Sequence, residues 1–301
     1  MGKYLNVGNA GFEAVRKGIY VDKTGMISFV NSALGTMDKL ICVSRPRRFG
    51  KSFAAKMLCA YYDRSCDSRS LFEGLKISKD ASFKEHLNKY DVIFLDITEF
   101  TSDAFIKKET QNIVLNIEKK IIDELSDAYP DVKRQGDLPN MLYDIAEATG
   151  NKFIFIIDEW DALFRETKSD IFQQESYIRL LRGLFKNSGK TDKMIEAAYM
   201  TGILPIKKYG TQSAMTDFRE YSMLMPKKLA EYVGFTETEV QTLCQKYGMD
   251  FEEAKRWYDG YSFSRVKSVY SPNSVIEAIK NEEFANYWTR TETYETLQFY
   301  I

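Results

Sequence analysis

The sequence predicts an α/β fold: a three-layer domain with a mainly parallel sheet between helices, followed by a smaller, mainly helical unit. Short, continuous apolar runs recur, rich in Ile, Val and Phe and bounded by polar residues, as strands buried on both faces require. Helix-length segments with apolar residues at helical spacing lie between them, and strands alternating with helices imply parallel strands joined by crossovers. After residue 223 the texture changes to glycine-punctuated helical segments and an aromatic tail.

The first run is Leu40-Ile41-Cys42-Val43, followed by a basic loop and a helical segment beginning at Phe53. The second, Val92-Ile93-Phe94-Leu95, ends in Asp96, and the third, Phe153-Ile154-Phe155-Ile156-Ile157, ends in Asp158-Glu159. A less regular fourth candidate runs from Ile195 to Leu204. Residues 103–128 carry Phe105, Ile113, Val114, Ile117, Ile121 and Leu125 at helical spacing, with Asp103 as the predicted N-cap. Residues 138–149 and 170–187 read similarly, and 227–257 read as helices broken at Gly234 and Gly248. The tail holds Trp257, Tyr258, Tyr261, Phe263, Tyr270, Phe284, Tyr287 and Trp288, read as core packing. The expected division is 1–223 for the sheet domain and 224–301 for a mainly helical, winged-helix-like domain. Tyr294 to Ile301 still read as packable helix, so the native chain is expected to continue.

With 301 residues, 44% of them apolar and 28% charged, the chain has the make-up of an ordinary globular protein of one large domain or two. Its 42 basic residues against 43 acidic ones argue against a chain-wide nucleic-acid or membrane footprint, leaving room only for a local basic patch. The N-terminus lacks the apolar core of a signal peptide, and the four cysteines show no C-x-x-C spacing. A reducing cytoplasm is therefore expected, without zinc or disulfides and without membrane contact. His86, the single histidine, lies in a polar stretch, which leaves a Ser-His-Asp triad nowhere to form.

The chemistry concentrates at two places. Ser44-Arg45-Pro46-Arg47-Arg48-Phe49-Gly50-Lys51-Ser52 lies between a buried strand and a helix, where a phosphate-binding loop belongs. The pattern G-x-x-x-x-G-K-[ST] needs backbone N–H groups turned toward phosphate, a Lys reaching it and a hydroxyl for Mg2+. Gly50, Lys51 and Ser52 supply its second half, and Arg45 stands where the first glycine belongs. The bland alternative is a solvated basic loop. Against it, Arg45, Arg47 and Arg48 would crowd positive charge at a helix N-terminus unless an anion were present.

The second place is the acidic end of the third run. A buried strand closing on two carboxylates matches the other half of a P-loop nucleoside triphosphatase site, with Asp158 toward Mg2+ and Glu159 toward the attacking water. Strand alternation is expected to send the two side chains to different sides. Together these elements predict an ATP or ADP site built from Arg45, Pro46, Arg47, Arg48, Phe49, Gly50, Lys51, Ser52 and Phe53, with Ser52 and Asp158 at the metal.

On these segments, and on Tyr20-Val21-Asp22-Lys23-Thr24, Asp158-Glu159-Trp160-Asp161 and Trp257-Tyr258-Asp259-Gly260-Tyr261, the chain resembles the bacterial AAA-ATPase-like family of P-loop proteins. In that family the loop is similar to S-R-P-R-R-F-G-K-S, so Arg45 belongs to the pattern. The resemblance implies ATP rather than GTP, with Lys51 and Glu159 as catalytic groups. It also implies Thr201 as a residue sensing phosphate or water, with a capping role before Gly202 as the alternative. Asp22 is a candidate for the adenine pocket, a helix start at Thr24 being the other account. A transition-state arginine could come from Arg165, Arg179, Arg182, Arg219 or another subunit. Many members carry a nuclease-like domain after the ATPase region, and no such site is legible in residues 1–301. Three functions follow: an ATPase coupling nucleotide state to conformation, a nucleotide switch with little turnover, and a nucleic-acid-associated module. A protein partner or self-association is compatible with each.

Overall fold

A computed structural model describes residues 1–133, 136–167, 170–186, 188–206, 215–262 and 266–288; Phe263 and positions 294–301, assigned above to the aromatic tail and a final helix, lie outside them. Five parallel strands form the main sheet: β1 (Leu40–Ser44), β2 (Asp91–Asp96), β3 (Phe153–Asp158), β4 (Ile195–Gly202) and β5 (Arg219–Tyr221), in the order β2-β3-β4-β1-β5. The pleat sorts their side chains. Ile41, Val43, Val92, Ile154 and Ile156 pack on one face with the helix Lys51–Tyr62. Leu40, Cys42, Ile93, Leu95, Phe155 and Ile157 pack on the other, against the helices Ile113–Ala128, Leu138–Thr149 and Ile171–Phe185. Side chains of alternate residues go to opposite faces, so an uninterrupted apolar run is what a strand covered on both sides needs. In β4 the parity slips once, at a register shift where Phe153 and Ile154 face Ile195 and Ala197.

The expected single helix over 103–128 is two. The first, Ile97–Lys107, starts straight from β2, and its N-cap is Asp96, whose side chain accepts from Thr98 N at 2.9 Å. Asp103 instead sits within it, ion-paired to Lys107 at 2.9 Å. Lys108, in the left-handed region at φ 59°, ends the helix before Ile113–Ala128 begins. Phe105 is consequently half exposed rather than part of the core.

The later part of the chain holds the helices Glu237–Tyr247, Phe251–Tyr258 and Pro272–Asn281. Thr236 and Glu239 form a reciprocal capping box at the first, and Gly248 ends it at φ 69°. Three very short strands, β6 (Phe235–Thr236), β7 (Asp259–Tyr261) and β8 (Val269–Tyr270), join antiparallel in the order β6-β8-β7 beside the helices of this mainly helical part. Val240, Leu243, Ala254, Tyr270 and Val275 form their own apolar cluster, and Ile19 and Val21 from the start of the chain pack against it. Among the described residues no helix is long and apolar enough to cross a membrane.

Candidate functional site

At the end of β1 the backbone turns sharply into the helix Lys51–Tyr62. Arg48 at φ 66° and Gly50 at φ 84° both lie in the left-handed region. A Cβ on Gly50 would meet no atom within 4 Å, so conformation rather than space demands glycine there. Lys51 is buried at the first helical position, and its Nζ donates to the carbonyls of Arg45 and Pro46, each at 3.0 Å. Arg45 is fully buried; its Nη1 donates to Ser44 O at 2.9 Å and Tyr221 O at 2.8 Å, tying the loop to β5.

The acidic end of β3 meets this loop from the neighbouring side. Asp158 is buried at the last position of β3, and the Thr201 hydroxyl, near the end of β4, donates to its Oδ1. Glu159 N donates to the same oxygen at 3.1 Å. Glu159 has φ 49°, so it reaches its position by a left-handed turn after the strand ends, not by the pleat alternation expected above. Its Oε1 is 3.5 Å from Lys51 Nζ, and its Oε2 is 2.5 Å from Arg165 Nη2. Of the candidate arginines, Arg165 is thus the one held at Glu159. Arg179 pairs with Glu175, Arg219 pairs with Asp38, and Arg182 is exposed.

Behind the turn, Asp161 has no solvent exposure and accepts from Ile203 N at 3.3 Å and Leu204 N at 3.0 Å, with Arg165 Nε 3.4 Å away. Burial pushes its carboxyl up, and Arg165 opposes that shift. The chains approach so closely that a Cβ on Gly202 would fall 2.5 Å from Trp160 Nε1 and 2.9 Å from Asp161 Oδ1.

Asp96 stands beside Asp158 in the sheet register. Burial, then the Asp158 charge, raises its carboxyl above the ordinary 3.8. The folded chain therefore holds this proton to higher pH than the unfolded chain, and stability is lost as pH rises through that interval. Asp96→Asn keeps an N-cap acceptor and removes the charge. It is expected to melt at higher temperature than the parent at neutral pH, with the gap closing below about pH 3.8. Calorimetric scans across pH check this, and a constant gap would count against the charge.

A cavity of about 470 Å³ opens over these groups. Arg47, Arg48, Phe49, Gly50, Lys51, Ser52 and Phe53 line one wall, with Glu159 at its end. Phe12, Ile19, Tyr20 and Val21 continue it, and Phe235 with the helix Pro272–Asn281 faces them. Neither Arg45, Pro46 nor Asp22 lines the cavity, and Asp158 and Thr201 stand behind Glu159 rather than on its surface. The Asp22 carboxylate accepts from Thr24 N and Oγ1 and from Lys76 N, which holds the turn before the helix Gly25–Asn31. Asn273 was not named from the sequence for this site, Tyr20 was quoted only for the resemblance, and Arg165 was one of four candidate transition-state arginines. Arg165 had one legible signal, its place one helical turn after Asp161.

A curated relative, an uncharacterized protein in the vnfD 5′ region of Azotobacter chroococcum mcd 1, is 24% identical over 307 residues, covering 97% of this chain and 54% of that protein. The chain thus spans about half the length of that relative. Among solved structures it is similar to the Aeropyrum pernix ORC2 protein in its ADPNP–ADP complexes (TM-score 0.39, 11% identity, 74% of this chain and 50% of that one). It is also similar to C. elegans PCH-2 (TM-score 0.38, 12% identity, 91% and 63%). A further likeness is to AMPPCP-bound DnaA from Aquifex aeolicus (TM-score 0.33, 10% identity, 78% and 56%). Residues 6–211, more than half of the chain and including both the loop and the acidic strand end, match the family described as Predicted AAA-ATPase, and the chain belongs to that family.

Proposed function

We propose that the chain binds ATP with Mg2+ in this cavity and hydrolyses it. One observation carries the reading: Lys51 Nζ and Glu159 Oε1, from elements far apart in sequence, stand 3.5 Å apart on one cavity wall. The donor set suits a phosphate. Lys51, Arg47 and Arg48 are cations beside a helix N-terminus, and Lys51 donates to two backbone carbonyls of its own loop. The Ser52 hydroxyl and Asp158 carboxylate are oxygen ligands of the kind Mg2+ prefers when phosphates complete its shell. Bound Mg2+ would neutralise charge on the phosphate oxygens. Glu159 accepts a proton from the attacking water, Thr201 holds the Asp158 carboxylate in place, and Lys51 binds the terminal phosphates.

The walls of the cavity come from both expected domains, 1–223 and 224–301, which supports coupling between nucleotide state and their relative position. A second reading rests on Arg165. Its bond to Glu159 ties up the proposed base, as a nucleotide switch with slow turnover requires. Calorimetric titration of MgATP tests binding itself. Lys51→Ala is expected to weaken it by about 10- to 100-fold, the loss from removing a charged hydrogen-bond partner; equal affinity in the two proteins would sink the site.

A further inference from the structure

Phosphate chemistry leaves one end of the cavity unexplained. Away from Lys51 the walls are apolar, with Val15, Ile19 and Val21 facing Phe235 and Ile276. Lys23, Glu277 and Lys280 also line it, Lys23 paired to Glu239 and Lys280 to Glu277, and the uncharged Tyr20 and Asn273 stand among them. The Tyr20 hydroxyl and Asn273 Nδ2 are both buried, and neither makes a hydrogen bond of good geometry among the described residues, the Lys23 backbone N–H bearing on the hydroxyl without closing one. Buried polar groups without partners are rare in folded chains, because each has given up water for nothing in return. Two on the wall of one cavity indicate that the occupant supplies the partners.

Both groups are held firmly. Asn273 follows Pro272, which opens the helix Pro272–Asn281 with a fixed φ. The Tyr20 ring meets Phe12 edge-on at 5.9 Å, and Phe12 stacks on Phe72 at 5.0 Å. An apolar slot with a few fixed polar groups suits a flat heteroaromatic ring. A side-chain amide presents one donor and one acceptor in a plane, the complement of the adenine amino group and its neighbouring ring nitrogen. The corresponding edge of guanine offers two acceptors, one of which would oppose the amide oxygen. A carboxylate would suit the guanine N–H groups better. The one on this helix, Glu277, also lines the cavity, but its carboxylate is engaged by Lys280 at 3.4 Å.

Resting on the nucleotide reading above, we propose that Asn273 and Tyr20 read the base, the Asn273 amide pairing with the amino edge of adenine and the Tyr20 hydroxyl making a second hydrogen bond to the same ring. The pair joins the start of the chain to its last described helix, so base recognition would depend on both walls being in place.

The test is titration of ATP, GTP and inorganic triphosphate, each with Mg2+, into the full chain, Asn273→Leu and Tyr20→Phe. The parent is expected to bind ATP about 10- to 100-fold more tightly than GTP, the range a bidentate amide–base pair supplies. Asn273→Leu should bring that ratio close to one, and Tyr20→Phe should weaken ATP several-fold, with triphosphate affinity unchanged in both. Unchanged ATP affinity and unchanged selectivity in the two variants would overturn the assignment. Triphosphate binding the parent as tightly as ATP would also overturn it, while leaving the phosphate site standing. A parent that binds neither would remove both readings. Should Asn273→Leu fail to fold, Tyr20→Phe, which loses a single oxygen, decides the question.

Discussion

Glu159→Gln is expected to cut phosphate release from MgATP by about 10²- to 10⁴-fold, the usual contribution of a positioned general base, while leaving ATP affinity within a few-fold of the parent. The amide keeps the shape of the side chain and its place between Lys51 and Arg165. What it loses is the ability to take a proton. Steady-state phosphate release and calorimetric titration on the same preparations separate the two effects. A parent that already releases no phosphate would favour the switch reading; a variant that turns over normally would remove Glu159 from the chemistry.

Asp161→Ala is expected to lower unfolding stability by about 2–3 kcal/mol, because it takes an acceptor from two buried backbone N–H groups and one of two carboxylate partners from a third group. Those groups are the amides of Ile203 and Leu204 and the Arg165 guanidinium. Gly202 packs so tightly against Trp160 and Asp161 that the gap has little room to collapse. Asp161→Asn, which keeps one acceptor oxygen, should lose less. Denaturant midpoints for the three proteins check the order, and an alanine variant with the parent's midpoint would refute it.

The strands β1, β2 and β3 were legible because residues 40–43, 92–95 and 153–157 within them are apolar without a break, as burial on both faces requires. β5 was not, since Arg-Glu-Tyr at 219–221 is short and polar, and it pairs with β1 only because the main sheet already offers an edge. β6, β7 and β8 have two or three residues each, too few to show a period. The helix over 103–128 was misread because spacing alone does not register one left-handed residue, Lys108. For the site, Lys51 and Glu159 were readable from strand ends and helix starts. The left-handed turn at Glu159 was not, nor was the meeting of Tyr20 with Asn273 in one cavity. Both depend on how separate segments are brought together.

The residue that stood in place of a glycine has a consequence for affinity. A glycine at position 45 would leave the loop free to wander before its ligand arrives, and binding would have to order it. Arg45 is instead anchored by its own side chain to Ser44 O and Tyr221 O, and its carbonyl accepts from Lys51. The loop is therefore set in place during folding, and an incoming phosphate meets a preorganised cradle. In such a loop, conformational entropy that others surrender on binding has already been surrendered when β5 docks onto β1.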